Sequence, residues 1–303
     1  MISRYSHEGI VWIDLERPTR EEVLSVAQEF SLNDLVTEEM MLPSTKPRIE
    51  LHGDYFYMIM HFPALRHSHS TREQEVDFVF GRNFLITAHY DTIDALHKFS
   101  KIFEVNSVLG KNSIGNHAGF LLFFMLRKMY KAVEHEVDYI RQELVRIESD
   151  IFAGYEVSMV EHISKNARDL MNLRQTIEPH REVLQDFEQL TPHFYGQEFE
   201  AYAKAVSHEY YRVHNHVMRN TETLHELRET NNSLLTTKQN ETMRVLTTIA
   251  LLTFPLTLFV SMFDVNSKSN PVINSPYGFW IIVGTVIVTG GLMLWYFRHK
   301  KWL

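Results

Sequence analysis

From Val245 to Phe263 the chain carries no charged residue. As a helix, that stretch reaches across roughly 30 Å of hydrocarbon, where each backbone polar group must be satisfied within its own helix. A second uncharged run, Tyr277–Phe297, follows after a short polar loop, so the two read as a transmembrane hairpin. Lys238 and Arg244 precede the first run, Arg298, Lys300 and Lys301 follow the second, and the loop holds only Lys268. The basic residues predict that both termini lie in the cytoplasm. The expected protein is multi-pass in the cell membrane, with its bulk inside the cell.

The first run is not uniformly apolar. Asn240, Met243, Leu246 or Thr247, Ala250, Phe254, Thr257, Ser261 and Asp264 recur at steps of three or four, which puts them on one helical face. A helix immersed in lipid has no use for such a stripe, whereas one lining a water-filled path does. The plainer alternative is that the Thr and Ser hydroxyls bond back to their own helix or to a neighbour. Spacing alone leaves both open.

About 240 of the 303 residues precede the membrane, enough for one sizeable soluble core or two small ones. Met1–His7 has no apolar h-region, so no signal peptide is expected. There is no cysteine, which excludes disulfides, thiolate metal sites and thiol catalysis. A net charge of −8 gives a nucleic-acid role no electrostatic support.

In the soluble part, Gly9–Leu15 reads as a strand, followed by a helix after Pro18 with Thr19 and Glu22 as its capping box. A short helix is expected from Asn33 to Met41. Two hairpins then follow, Arg48–Leu51 with Tyr55–Phe62 and Val76–Phe80 with Phe84–His89. Asp91–Phe103 returns to helix. The first hundred or so residues thus form an α/β domain with a largely hairpin-built sheet. Helical patterns follow at His117–Ser149 and Met159–Leu190, with Pro179 interrupting the second. Gln197–Phe254 holds neither Gly nor Pro, and as one helix would be a rod of about 87 Å. Its apolar residues, among them Phe199, Val206, Tyr210, Val213, Val217, Leu224 and Leu227, share a seam with Asn220 and Asn231. Such a seam implies helix packing, and buried Asn tends to fix register and oligomer state. The expectation is an oligomer whose copies cover the rod.

Several segments together resemble the CorA family of divalent-cation channels. They are Trp12–Leu15 with Pro18–Glu22, Thr176–Leu184, Asn240–Thr247, Phe254–Thr257 and the ending Tyr296–Leu303. The resemblance implies a homopentameric funnel in which five first membrane helices surround a pore. On it, residues 1–116 are the α/β cytoplasmic domain, 117–196 a helical layer and 197–244 the stalk helix. Residues 245–263 are the pore-lining span, 264–276 the outer loop, 277–297 the second span and 298–303 a basic cytoplasmic tail. The metal-facing residues it implies are Asn266, Asp264, Asn240 and Thr257, with Met243, Leu246, Ala250, Phe254 and Ser261 lining or gating the pore.

The departures are informative. The family's Tyr-Gly-Met-Asn signature reads Phe263-Asp264-Val265-Asn266 here, so Asn is kept while Gly and Met are not. The loop Ser267–Pro276 lacks the family's usual acidic residues, and Asp264 offers a charge in the mouth itself. Its rival role is to cap the loop. The family's regulatory metal site pairs an acid near the start of the last helix of the α/β domain with one on a neighbouring stalk. Asp91 matches the first, the second falls near Ala205 with His208 and Glu209 close by, and Glu229 fits an acidic position nearer the membrane.

Other groups carry less. His214-Asn215-His216 sits mid-helix with its histidines on different faces, and His67-Ser68-His69 reads as solvated loop rather than a zinc site. Glu38-Glu39 and Glu73 with Glu75 read as solvated acids, and no Gly-rich phosphate loop is present. Nothing marks an enzyme, and no cofactor is required. Two functions are expected: a homopentameric channel passing Mg²⁺, or Co²⁺, Ni²⁺ or Zn²⁺, down its gradient, or a non-conducting membrane-anchored scaffold or sensor. The polar groups kept on the stripe favour the channel.

Overall fold

A computed structural model describes residues 1–44, 46–64, 73–109, 115–264 and 276–300, with only the backbone of 105–109 and 263–264. It divides into two compact units, Met1–Arg228 and Glu229–Leu303.

The first unit is built on a six-stranded sheet. Its strands are β1 (Ile2–His7), β2 (Ile10–Glu16), β3 (Arg48–His52), β4 (Tyr55–Phe62), β5 (Gln74–Phe80) and β6 (Phe84–His89). Their spatial order is β1-β2-β6-β5-β4-β3, and only β2 and β6 run parallel. Both expected hairpins are present. β1 was not expected, because none of its residues is fully buried and its apolar alternation is weak. It turns into β2 through Glu8 and Gly9, both at positive φ (51° and 84°), the backbone of a two-residue hairpin turn whose twist matches the strands.

Helices cover both faces of the sheet. On one lie α1 (Arg20–Glu29) and α2 (Asp34–Glu39), whose Val23, Val26 and Val36 pack with Ile13, Leu15, Tyr57, Ile59, Val79 and Ile86. The capping box forms as expected, Thr19 accepting from the Glu22 amide while Glu22 accepts from that of Thr19. On the other face lie α3 (Asp94–Leu109), α4 (Ala118–Phe152) and α6 (His180–Tyr195), while α5 (Glu156–Ile177) packs on α4. Pro179 does restart the helix, as the residue before α6. α3 begins three residues later than expected, after a turn in which His89 Nδ1 donates to the Asp91 carbonyl (2.6 Å).

A single turn of 3₁₀ helix (Gln197–Phe199) leads into α7 (Glu200–Asp264), 65 residues long and unbroken at Pro255. Its apolar seam is the main correction to the sequence reading. Phe199, Val206, Tyr210, Val213, Val217, Leu224 and Leu227 are all buried within one chain. α4 runs parallel to this part of α7, meeting it through Phe123–Tyr202, Tyr130–Tyr210 and a hydrogen bond from Asn220 Nδ2 to the Val137 carbonyl (3.0 Å). The seam up to Leu227 therefore needs no second copy to cover it, and Asn220 fixes an intramolecular register.

Glu75 is a second correction. It is buried rather than solvated, taking the Ser44 amide at 2.8 and 2.9 Å and lying 3.3 Å from His61 Nε2. Beside it, burial and the Glu75 charge push the Asp77 carboxyl well above the usual range. Glu39 pairs with Arg48. His67–His69 lies outside the described residues.

His180, in the stretch that resembles the family's helical-layer motif, ties the layers together. Its Nε2–H donates to the His61 carbonyl on β4 (2.7 Å), and Tyr130 of α4 donates to its Nδ1 (2.9 Å). Both nitrogens are thereby used by the neutral ring, and burial holds its pKa down at about 4. Because the folded value lies below the unfolded one near 6.5, this contribution is intact above pH 6.5. It is lost as pH falls towards 4, by ~3 kcal/mol in all. His61 and His89, each drawn down by burial but raised further by Glu75 and Asp14, act in the opposite sense. Wild type should therefore lead His180→Gln in denaturant stability at pH 7 by a margin that shrinks as pH falls to 4.5. A margin independent of pH would refute this assignment.

Candidate functional site

The second unit contains the end of α7 and α8 (Gly278–His299). Both helices are long and apolar enough to cross a membrane. α8 carries exposed aromatic residues at both ends, Tyr277 and Trp280 at one and Trp295 and Tyr296 at the other. Amphipathic rings at that spacing suit the two interfaces of a bilayer.

On α7, the residues of the polar stripe span an arc of about 120°. Asn240, Met243, Leu246, Thr247, Phe254, Thr257 and Ser261 are all exposed, Phe254 to 76%, and Ala250 is half-buried. Asp264 closes the helix on the same arc by backbone register. Beyond Asn240, and apart from Ala250, the residues of α7 that lose exposure lie elsewhere: Thr248 is fully buried, and Leu252, Leu256 and Phe259 are half-buried. Their arc is centred about half a turn away from the stripe. Leu256 identifies what covers them, since its Cδ1 lies 3.5 Å from where a Cβ on Gly290 of α8 would sit. α8 therefore packs on the back of α7 and leaves the stripe bare.

That packing face was not read from the sequence. The available signal was Gly290-Gly291 inside an otherwise apolar span, since small residues let membrane helices approach closely.

The plainer reading of the hydroxyls is realised together with the exposure. Thr257 Oγ1 donates to the Thr253 carbonyl at 2.9 Å, and Thr253 to Ile249 at 3.0 Å. A hydroxyl that spends its proton on its own helix presents only lone pairs outwards. Those can accept from the water protons of a hydrated cation, so back-bonding and an ion-facing role are compatible. Among the described residues no group of three or more His, Asp or Glu side chains could hold a metal within one chain. Asn266 lies outside the described residues.

Asp91 and Glu229 belong to different units. Asp91 sits between β6 and α3 with Arg17 Nη2 at 3.7 Å from its carboxylate, and Glu229 is exposed. The acid closest to the expected stalk position, Glu209, is engaged by Arg127 (3.3 Å) and Arg212 (3.0 Å) of its own chain.

The fold as a whole matches the complete structure of the CorA magnesium transporter from Methanocaldococcus jannaschii. The TM-score is 0.85 at 20% identity, covering 99% of this chain and 94% of that one. In sequence, the cobalt/magnesium transport protein CorA of Thermotoga maritima is 23% identical over 96% of this chain and 83% of its own length. That of Methanocaldococcus jannaschii is 20% identical over 97% and 92%. Residues 7–299 match the family described as CorA-like Mg²⁺ transporter protein. A match over nearly the whole length leaves one conclusion: the chain belongs to the CorA-like Mg²⁺ transporter family, a family of transporters rather than enzymes.

Proposed function

We propose that the protein carries divalent cations, Mg²⁺ foremost, passively through a pore lined by α7 from five copies of the chain. The observation that carries this reading is the stripe left bare by α8, polar at Asn240, Thr257 and Ser261 and bulky at Met243, Leu246 and Phe254. One chain supplies a single group at each level, so a cation path needs several copies to close rings of them.

Mg²⁺ sheds water reluctantly, so rings of amide and hydroxyl oxygens that accept from its hydration shell suit it better than a dry cage. Asn266 and Asp264 form the outer rings, and Thr257 and Asn240 follow along the path. Co²⁺, Ni²⁺ and Zn²⁺ fit the same hydrated route, and Co²⁺ is named for relatives of the chain. No resident cofactor or energy source is needed, because 100 mV across the membrane contributes about 4.6 kcal/mol to a doubly charged ion. In this reading both termini face the cytoplasm of a plasma-membrane protein. Residues 1–116, 117–196 and 197–244 form the cytoplasmic funnel, 245–263 and 277–297 the spans, 264–276 the outer loop and 298–303 the basic tail.

The test is uptake of Mg²⁺ and Co²⁺ into proteoliposomes by wild type and Asp264→Asn at matched incorporation. Five carboxylates at the mouth bind cations more tightly than amides and release them more slowly. Asp264→Asn should raise the half-saturating concentration several-fold and increase maximal flux. If half-saturation, ion preference and maximal rate all stay put, the carboxylate is not on the path. No uptake by wild type would sink the channel reading and leave the scaffold.

Five copies repeat each of the acids Asp91 and Glu229, and a cytoplasmic Mg²⁺ that bridges subunits at either position would favour the closed state. Limited proteolysis of the stalk should accordingly slow in millimolar Mg²⁺ relative to chelator. An unchanged cleavage pattern would speak against such regulation.

A further inference from the structure

Between α3 and α4, in the soluble unit, lies a cleft of about 510 Å³ that the transport reading leaves unused. Asp94, Lys98 and Lys101 reach it from one face of α3, and Lys128, Lys131 and His135 from one face of α4. In a chain of net charge −8, four lysines and a histidine thus meet a single carboxylate. All four lysines are exposed, and none makes an ion pair with another described residue. Like charges gathered around one carboxylate still repel one another, and an anion relieves that repulsion. The floor is of another kind, formed by Ala95, Phe99, Ile102 and Ala132, with Ile102 still 44% exposed. An apolar floor under a basic rim, in a volume within the usual range for small-molecule sites, is built for an organic anion rather than a bare ion.

We propose that this cleft binds a nucleoside triphosphate. Several phosphates on one molecule match several lysines acting as point charges, whereas inorganic phosphate would engage few of them and leave the floor empty. The flat base covers Ile102, the exposed part of the floor, and Asp94 accepts from a hydroxyl or amino group. The site is independent of the pore, so binding is measurable whether or not the protein conducts.

The experiment is calorimetric titration of the full-length protein in detergent with ATP, in chelator so that no bound Mg²⁺ bridges the partners. Saturable binding is expected, weakening as salt rises, with tripolyphosphate competing and adenosine binding far more weakly. The double variant Lys98→Glu/Lys131→Glu should bind about tenfold more weakly or worse, since each lysine supplies a charge-assisted contact. Lys165→Glu, an exposed lysine on α5 outside the cleft, should match wild type. The proposal fails if wild type shows no saturable binding, if the double variant binds as well as wild type, or if Lys165→Glu loses as much. It fails equally if adenosine binds as tightly as ATP. A double variant with changed oligomeric mass, in a protein that ignores ATP, would assign the cleft to an acidic surface of another copy instead.

Discussion

Proteoliposomes carrying Leu246→Gly or Phe254→Gly should leak Mg²⁺ at rest about a hundredfold faster than wild type. In the proposed pore these side chains and Met243 form apolar rings, and an apolar constriction blocks ions by excluding the water they travel with. A dewetting barrier of only ~3 kcal/mol corresponds to that factor of about 100 in rate. Leu246 is 56% exposed and Phe254 76% exposed, so neither contributes much to the packing of its own chain. Their removal opens a constriction without opening a cavity in a core. Thermal stability in detergent should stay close to wild type while basal flux rises. Unchanged basal flux in both variants and in Met243→Gly would show that the stripe does not gate.

Trp12→Ala should have the reverse profile, costing about 3–5 kcal/mol of folding stability in the soluble unit. Trp12 has no exposed surface and lies under the α3 aromatic residues, with ring centroids 5.6 Å from Phe99 and 5.7 Å from Phe103, and Tyr5 of β1 at 4.8 Å. Its indole N–H donates to Thr87 Oγ1 (3.0 Å), which donates in turn to Asp14 Oδ1 (2.5 Å), where His89 also arrives at 3.2 Å. One side chain thus joins β1, the parallel pair β2–β6 and α3. Trp12→Phe keeps most of the apolar surface and leaves Thr87 its bond to Asp14, so it should cost less than half as much. Chemical denaturation in detergent followed by circular dichroism separates the two variants. Equal stability of Trp12→Ala and wild type would contradict the packing described. Since α3 also forms one wall of the lysine cleft, the alanine variant should weaken ATP binding as well.

Features set by neighbouring residues were legible in the amino-acid order alone. The uncharged runs Val245–Phe263 and Tyr277–Phe297, the Thr19–Glu22 capping box, the hairpins at Gly53 and Gly81–Asn83, and the restart at Pro179 each depend on a few adjacent positions. Period and turn chemistry are local, so they survive being read one window at a time. The polar stripe was legible for the same reason, being a matter of helical period.

What the order of residues could not decide is which distant surface arrives against a given face. The parallel pairing of β2 with β6 joins segments more than sixty residues apart, and it is this pairing that puts Trp12 beside Thr87. Glu75 reads as a solvated acid until the Ser44 amide and His61 close over it. The α7 seam reads as an oligomer surface until α4 of the same chain covers it, and the stripe becomes a bare face only because α8 settles on the opposite side at Gly290. Nor does the spacing of Lys98, Lys101, Lys128 and Lys131 show a cleft, since their charges meet only when α3 and α4 pack. Burial and electrostatic environment are properties of pairs of surfaces, and the identity of the second surface is settled by tertiary folding.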